Sequence, residues 1–180
     1  MGKIESGYYF KILGSSSKRA TLDVEVSDVI EKSNSKNAVY FSKNGRKPEE
    51  RNEGDIVFMG RMTEKPNDYA IFGMARFDGR EGEATNVDIK KWPWMTDYPI
   101  IFGVREFTAL NSGGTLKDCI FLYRDLLKEF GVEGFQPTYQ RHKDGEKDIN
   151  PKKALCHQPG IWLTKKAGKW LESRFKRQGR

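Results

Sequence analysis

Histidine and cysteine are scarce in this chain. Only His142, His157, Cys119 and Cys156 occur among 180 residues, and Cys156-His157 is the sole close pair. With no Cys-x-x-Cys or His-x-x-x-His spacing, the four ligands that a structural zinc wants are not in view, and no metal site is expected. Two cysteines make no disulfide framework, and Met1-Gly2-Lys3-Ile4-Glu5 has no secretory apolar core, so a reduced cytoplasmic home is expected. Apolar runs are short as well: none approaches the roughly 18 residues of a membrane span. A serine or cysteine triad needs a histidine and an orienting group, and no Gly-x-Ser-x-Gly occurs. The phosphate-cradling patterns Gly-x-Gly-x-x-Gly and Gly-x-x-x-x-Gly-Lys-Ser/Thr are also missing, and no cofactor is expected.

What the chain does have is charge and aromatic rings. Charged residues make up 32% and hydrophobic ones 37%, which suits a globular protein better than a disordered one. The formal net charge of +7 is unevenly spread. Residues 164–180 carry Lys165, Lys166, Lys169, Arg174, Lys176, Arg177 and Arg180 against Glu172 alone, while everything before holds 25 basic and 24 acidic side chains. Basic character therefore lives in the tail, and a pocket in the body has to be argued from its chemistry.

Tyr8–Leu13, Ala38–Phe41, Asp55–Gly60, Tyr69–Phe77 and Ile100–Phe107 read as strands, with polar loops at Lys43–Gly54 and Asp78–Asn86. Ser27 is the expected cap of a short helix through Val29 and Ile30 that fades at Ser33-Asn34-Ser35. Leu116, Cys119, Ile120, Tyr123, Leu126, Leu127 and Phe130 recur at helical spacing behind Thr115, with Gly131 as the stop. A loop-rich stretch from Gly134 to Gly160 precedes a second amphipathic helix over Leu163–Lys176. Neither βαβα alternation nor an internal repeat is visible, so the expected class is α+β: a small mixed or partly closed β-barrel flanked by helices.

Lys90-Lys91-Trp92-Pro93-Trp94 is the most informative segment. Pro93 fixes φ between two indoles, giving a stiff aromatic wall or a plain core plug. Aromatic walls at strand ends can sandwich a planar group, and stacking a base contributes on the order of 1–3 kcal/mol. The rival chemistry is an Mg²⁺-dependent nuclease, since Asp88-Ile89-Lys90 has an acid-x-Lys form that Asp55, Asp68 or Asp78 would complete.

On Tyr8–Leu13, Ala38–Ser42, Gly54–Met59, Ile71–Phe77 and Lys91–Phe107, over roughly residues 6–130, the chain resembles the YTH and EVE families of the PUA-like superfamily. These domains hold a modified base in an aromatic cage; Tyr40 stands where YTH readers carry tryptophan. With its basic terminal helix, the chain looks most like the N-terminal DNA-binding domain of archaeal McrB-type modification-dependent restriction proteins. The resemblance implies a PUA-like (YTH/EVE-type) fold, with residues 1–133 as the modified-base-binding domain. Residues 134–180 would be an extension that packs on it or leads to a motor domain. It implies a non-enzymatic reader of double-stranded DNA that flips a methylated base, N6-methyladenine favoured, into a cage of Tyr40, Trp92 and Trp94 with Ser42 on the base edge. Lys43, Arg46, Lys47, Lys90 and Lys91 would touch phosphates. A GTPase motor in the same full-length chain and a nuclease subunit are the implied partners. Methylated or single-stranded RNA is the alternative ligand.

Overall fold

Side-chain alternation in the apolar runs decides the architecture. The computed structural model describes residues 6–14, 18–44, 51–136 and 160–178. In order these form β1 (Tyr8–Leu13), α1 (Val26–Ser33), β2 (Ala38–Phe41), β3 (Ile56–Met62), β4 (Tyr69–Glu83), α2 (Asn86–Lys91), β5 (Ile100–Ala109), β6 (Ile120–Phe121), α3 (Lys128–Phe130), β7 (Gly160–Leu163) and α4 (Lys165–Gln178). The class is α+β. The strands make one seven-stranded sheet in the order β2-β5-β4-β3-β1-β7, with β6 beside β4. Among the described strand pairs, only β1 and β3 are parallel.

The hydrogen-bonded ladder does not close into a barrel, because β2 and β7 remain its two ends. The sheet nevertheless curls. The Lys11 ammonium on β1 lies 4.3 Å from the centroid of the Phe41 ring on β2, although three strands separate β1 and β2 in the ladder. Lys11 is 3% exposed and donates to the Ile12 carbonyl at 3.0 Å. Burial disfavours its charged form and pushes its pKa down to about 7.

Besides the cap of α1, which is Glu25 and not Ser27, three expectations from sequence need correction. First, Asp78–Asn86 is not a loop: β4 runs on to Glu83, and Glu81, Gly82 and Glu83 pair with Phe102, Ile101 and Ile100. Polar residues suit this extension, since its exposed side buries nothing. Second, the helical spacing after Thr115 is interrupted. A 3₁₀ turn over Leu116–Asp118 gives way to β6, where Ile120 and Phe121 pair with Ile71 and Ala70. The backbone then re-enters a helix as a π-helical segment, Leu122–Leu127, before α3. Its first amides are taken up by a carboxylate from elsewhere: buried Asp68 accepts the N–H groups of Tyr123 and Arg124 at 2.9 Å each, and that of Tyr69 at 2.7 Å. Gly131, at φ 58°, ends the helix as expected. Third, Leu163 belongs to β7, and α4 begins at Lys165.

The described residues after 133, 134–136 and 160–178, join the same sheet. β7 pairs antiparallel with β1, and α4 buries Ala167, Leu171 and Phe175. Phe175 meets Phe58 with ring centroids 5.9 Å apart, and the Tyr8 hydroxyl donates to Glu172 at 3.1 Å. Gly168 allows this approach, since a Cβ there would sit 2.1 Å from the Tyr8 ring. Among the described residues no helix is long and apolar enough to cross a membrane.

Candidate nucleic-acid interface

Period-two alternation splits β2 between two clusters. Val39 and Phe41 enter the main core, whereas Ala38 and Tyr40 point to the other face and pack with Met95, Trp92, Trp94, Tyr98 and Ile89. The tryptophan segment that covers this face is assembled by local signals. Thr85 and Asp88 form a reciprocal capping box: the Thr85 hydroxyl accepts the Asp88 N–H, and the Asp88 carboxylate accepts the Thr85 N–H at 2.9 Å. α2 then runs to Lys91, and the Trp92 N–H still bonds the Asp88 carbonyl at 2.7 Å. Pro93 cannot continue the ladder and instead starts a 3₁₀ turn, Pro93–Thr96, in which Met95 is fully buried. Trp92 is thereby fixed at the junction of two helical pieces. Replacing Thr85 with alanine removes half of the box, and a loss of about 1 kcal/mol in urea-unfolding stability is expected.

A cleft of about 610 Å³ opens beside Trp92, lined also by Ile30, Asn34, Asn37, Lys91 and Phe107. This is within the roughly 300–1,000 Å³ of small-molecule sites. Phe107 reaches its place because Gly73 offers no side chain; a Cβ there would lie 2.8 Å from the ring. Asn34 ends α1 in the left-handed region at φ 52°. Its amide nitrogen donates to the Tyr40 hydroxyl, and its carbonyl oxygen accepts from the Asn37 amide. The Asn37 side chain is thereby tied to Asn34 at the cleft wall. Lys36 and Lys91 bring positive charge to the lining and Glu31 brings one negative charge.

The sequence-derived site residues fare differently. Tyr40 and Trp94 do come together, but edge-on, with centroids 4.8 Å apart and planes at 88°. Tyr40 is 5% exposed, and the Trp94 indole N–H donates to the Lys32 carbonyl at 3.1 Å. A slot between these two rings is thus filled by their own contact, and Tyr40 is a packed residue whose hydroxyl burial pushes up to about 12. Trp92 alone of the three expected cage rings borders the cleft. Ser42 and Lys43 follow the far end of β2 from Asn37, and neither is among the residues that line the cleft. Lys91 lines it, its ammonium 4.3 Å from the Trp92 centroid, and Lys90 is exposed next to it. Arg46, Lys47, His142, Cys156 and His157 lie outside the described residues.

The carboxylates of the nuclease reading are dispersed and engaged. Asp88 closes the capping box, and Asp55, 2% exposed, accepts the Gly7 and Asn52 N–H groups at 2.7 Å. Asp68 starts the π-helical segment and Asp78 pairs with Arg80. Among the described residues no three His, Cys, Asp or Glu side chains are placed to hold a metal ion. Compared with known proteins, the chain matches no family model, no curated protein and no solved structure.

Asn34, Asn37, Lys36 and Phe107 line the cleft without having been expected from sequence. Asn34 had a readable signal, since asparagine at a fading helix end favours the left-handed cap. Phe107 had none, because its position depends on Gly73 across the sheet.

Proposed function

We propose that this chain is a non-catalytic, PUA-like binding module that takes one extruded base of double-stranded DNA into the cleft beside Trp92. A methylated base is the preferred ligand, N6-methyladenine first. The observation that carries this reading is a half-buried indole, its backbone set between two helical pieces, on the wall of a cleft with two lysines in its lining. Extruding a base costs a few kcal/mol, while one stacking face returns on the order of 1–3 kcal/mol. Trp92 therefore needs help. Phe107 offers a second apolar wall, and a methyl group adds apolar area to be removed from water at about 25 cal/mol per Å². Asn37 supplies an amide that can pair with a base edge. Lys36, Lys90 and Lys91 contact phosphates and set the register of the duplex.

Such a module acts in the cytoplasm as the specificity domain of a modification-dependent restriction system. The motor would stand elsewhere in a full-length chain, and the nuclease would be a separate subunit. The curl of the sheet, with β1 against β2, supports the PUA-like assignment. Titration with labelled methylated duplex, unmodified duplex and methylated single-stranded RNA of one sequence tests the reading. Tightest binding to the methylated duplex is expected. Equal affinity for the two duplexes removes the role in sensing methylation, and tighter RNA binding moves the module to the RNA class.

A further inference from the structure

We propose that the outer face of α4 is a second, sequence-independent docking surface for the phosphate backbone of duplex DNA. It is separate from the cleft at Trp92; the basic stripe stands on its own, while the choice of duplex DNA as its occupant rests on the function proposed above. At 3.6 residues per turn, Lys166, Lys169, Lys176 and Arg177 fall within about 100° of arc, with Ser173 between them. All four are exposed, and they lie opposite the buried Ala167, Leu171 and Phe175. The stripe from Lys166 to Arg177 is about 16 Å long, enough to follow several phosphates of one strand.

The stripe is not what helix stability alone would select. The first turn of α4 holds no acidic residue and begins with Lys165 and Lys166, which oppose the positive end of the helix dipole. Lys166 and Lys169 also repel at i,i+3 spacing. Glu172 is the only carboxylate on the helix. Its side chain is 13% exposed and is drawn to the packed flank by the Tyr8 hydroxyl at 3.1 Å, Lys176 at 2.8 Å and Arg76 at 3.9 Å. Lys166, Lys169 and Arg177 face solvent with no carboxylate partner among the described residues. A multiply charged anion relieves this arrangement.

A nucleic acid fits better than an acidic membrane. A helix lying on a bilayer needs an apolar face directed outward. The large ring nearest the stripe, Trp170, is half-buried, packed edge-on against Phe130 at 5.7 Å and covered by the Arg174 guanidinium at 4.8 Å. Phosphate binding by lysine and arginine requires no such face.

The test uses unmodified duplex, so that the cleft contributes no methyl preference. Affinity is measured across about 50–200 mM KCl for wild type and the triple variant Lys166→Gln/Lys169→Gln/Arg177→Gln. Each phosphate no longer neutralised should flatten the slope of log K against log salt by about 0.9, so the triple variant should lose about 2–3 from the slope. Acetylation footprinting of the wild type gives a readout without any substitution: unmodified duplex should protect Lys166 and Lys169. The proposal is overturned by an unchanged slope, by unprotected lysines, or by α4-dependent binding to phosphatidylserine vesicles in place of duplex. A failed cleft reading would show instead as a missing methyl preference with the salt slope intact.

Discussion

Replacing Lys11 with methionine should stabilise the protein by about 2–4 kcal/mol near pH 7, and the gain should shrink as pH rises toward 10. The lysine is 3% exposed and its pKa is lowered to about 7 by burial. Between that value and about 10.4, its value in an unfolded chain, the unfolded state binds more protons. Folding stability therefore rises with pH across this window, and the full penalty for burying the charge applies below it. A displacement of that size corresponds to about 4–5 kcal/mol, and methionine recovers only part of it because it gives up the contacts with the Ile12 carbonyl and the Phe41 ring. Methionine fills the space without a charge. Urea unfolding of both proteins at several pH values checks this. The difference between them is the informative quantity, because the buried Cys119 thiol, pushed up to about 12, and the buried Tyr9 hydroxyl, also raised, work in the opposite direction at alkaline pH. A difference independent of pH would mean that Lys11 is not buried as a charge-sensitive group.

Trp92→Ala should weaken binding of methylated duplex by roughly 5- to 150-fold, equivalent to about 1–3 kcal/mol of lost stacking. Its effect on stability should be smaller, since Trp92 is only half-buried and borders open space. Trp94→Ala is the counterpart. Its ring packs edge-on against Tyr40 and its N–H is taken by the Lys32 carbonyl, so substitution should lower unfolding stability by about 2 kcal/mol and leave the methyl preference intact. Preference lost in Trp94→Ala and kept in Trp92→Ala would move the site to the Tyr40 side of the segment.

The strands were legible because their side chains alternate or fill both faces of a sheet, as in Ile56–Met62 and Ile100–Ala109. Pairing partners were not, since β1 meets β3 in parallel and β7 in antiparallel through residues far apart in sequence. The helix expected after Thr115 shows the limit of periodicity. Its apolar spacing suits burial in either conformation, and strand pairing of Ile120 with Ile71, together with the Asp68 carboxylate, decides against a continuous helix. In the candidate site, sequence singled out Trp92 and Lys91 because indoles beside proline and basic residues are visible locally. Tyr40 and Ser42, also named from sequence, do not line the cleft, because alternation along β2 and the direction of that strand relative to α1 are set by tertiary packing. Asp88 looked like chemistry and is a helix cap, an ambiguity that the Thr85-x-x-Asp88 spacing could have resolved.

The most direct test is a crystal structure with a duplex carrying a single N6-methyladenine. One adenine should be swung out of the stack into the cleft, its ring about 3.5–4 Å from the Trp92 indole and its edge on the Asn37 amide. A methylated base still stacked in the helix, with the cleft empty or the duplex bound elsewhere, would contradict the account.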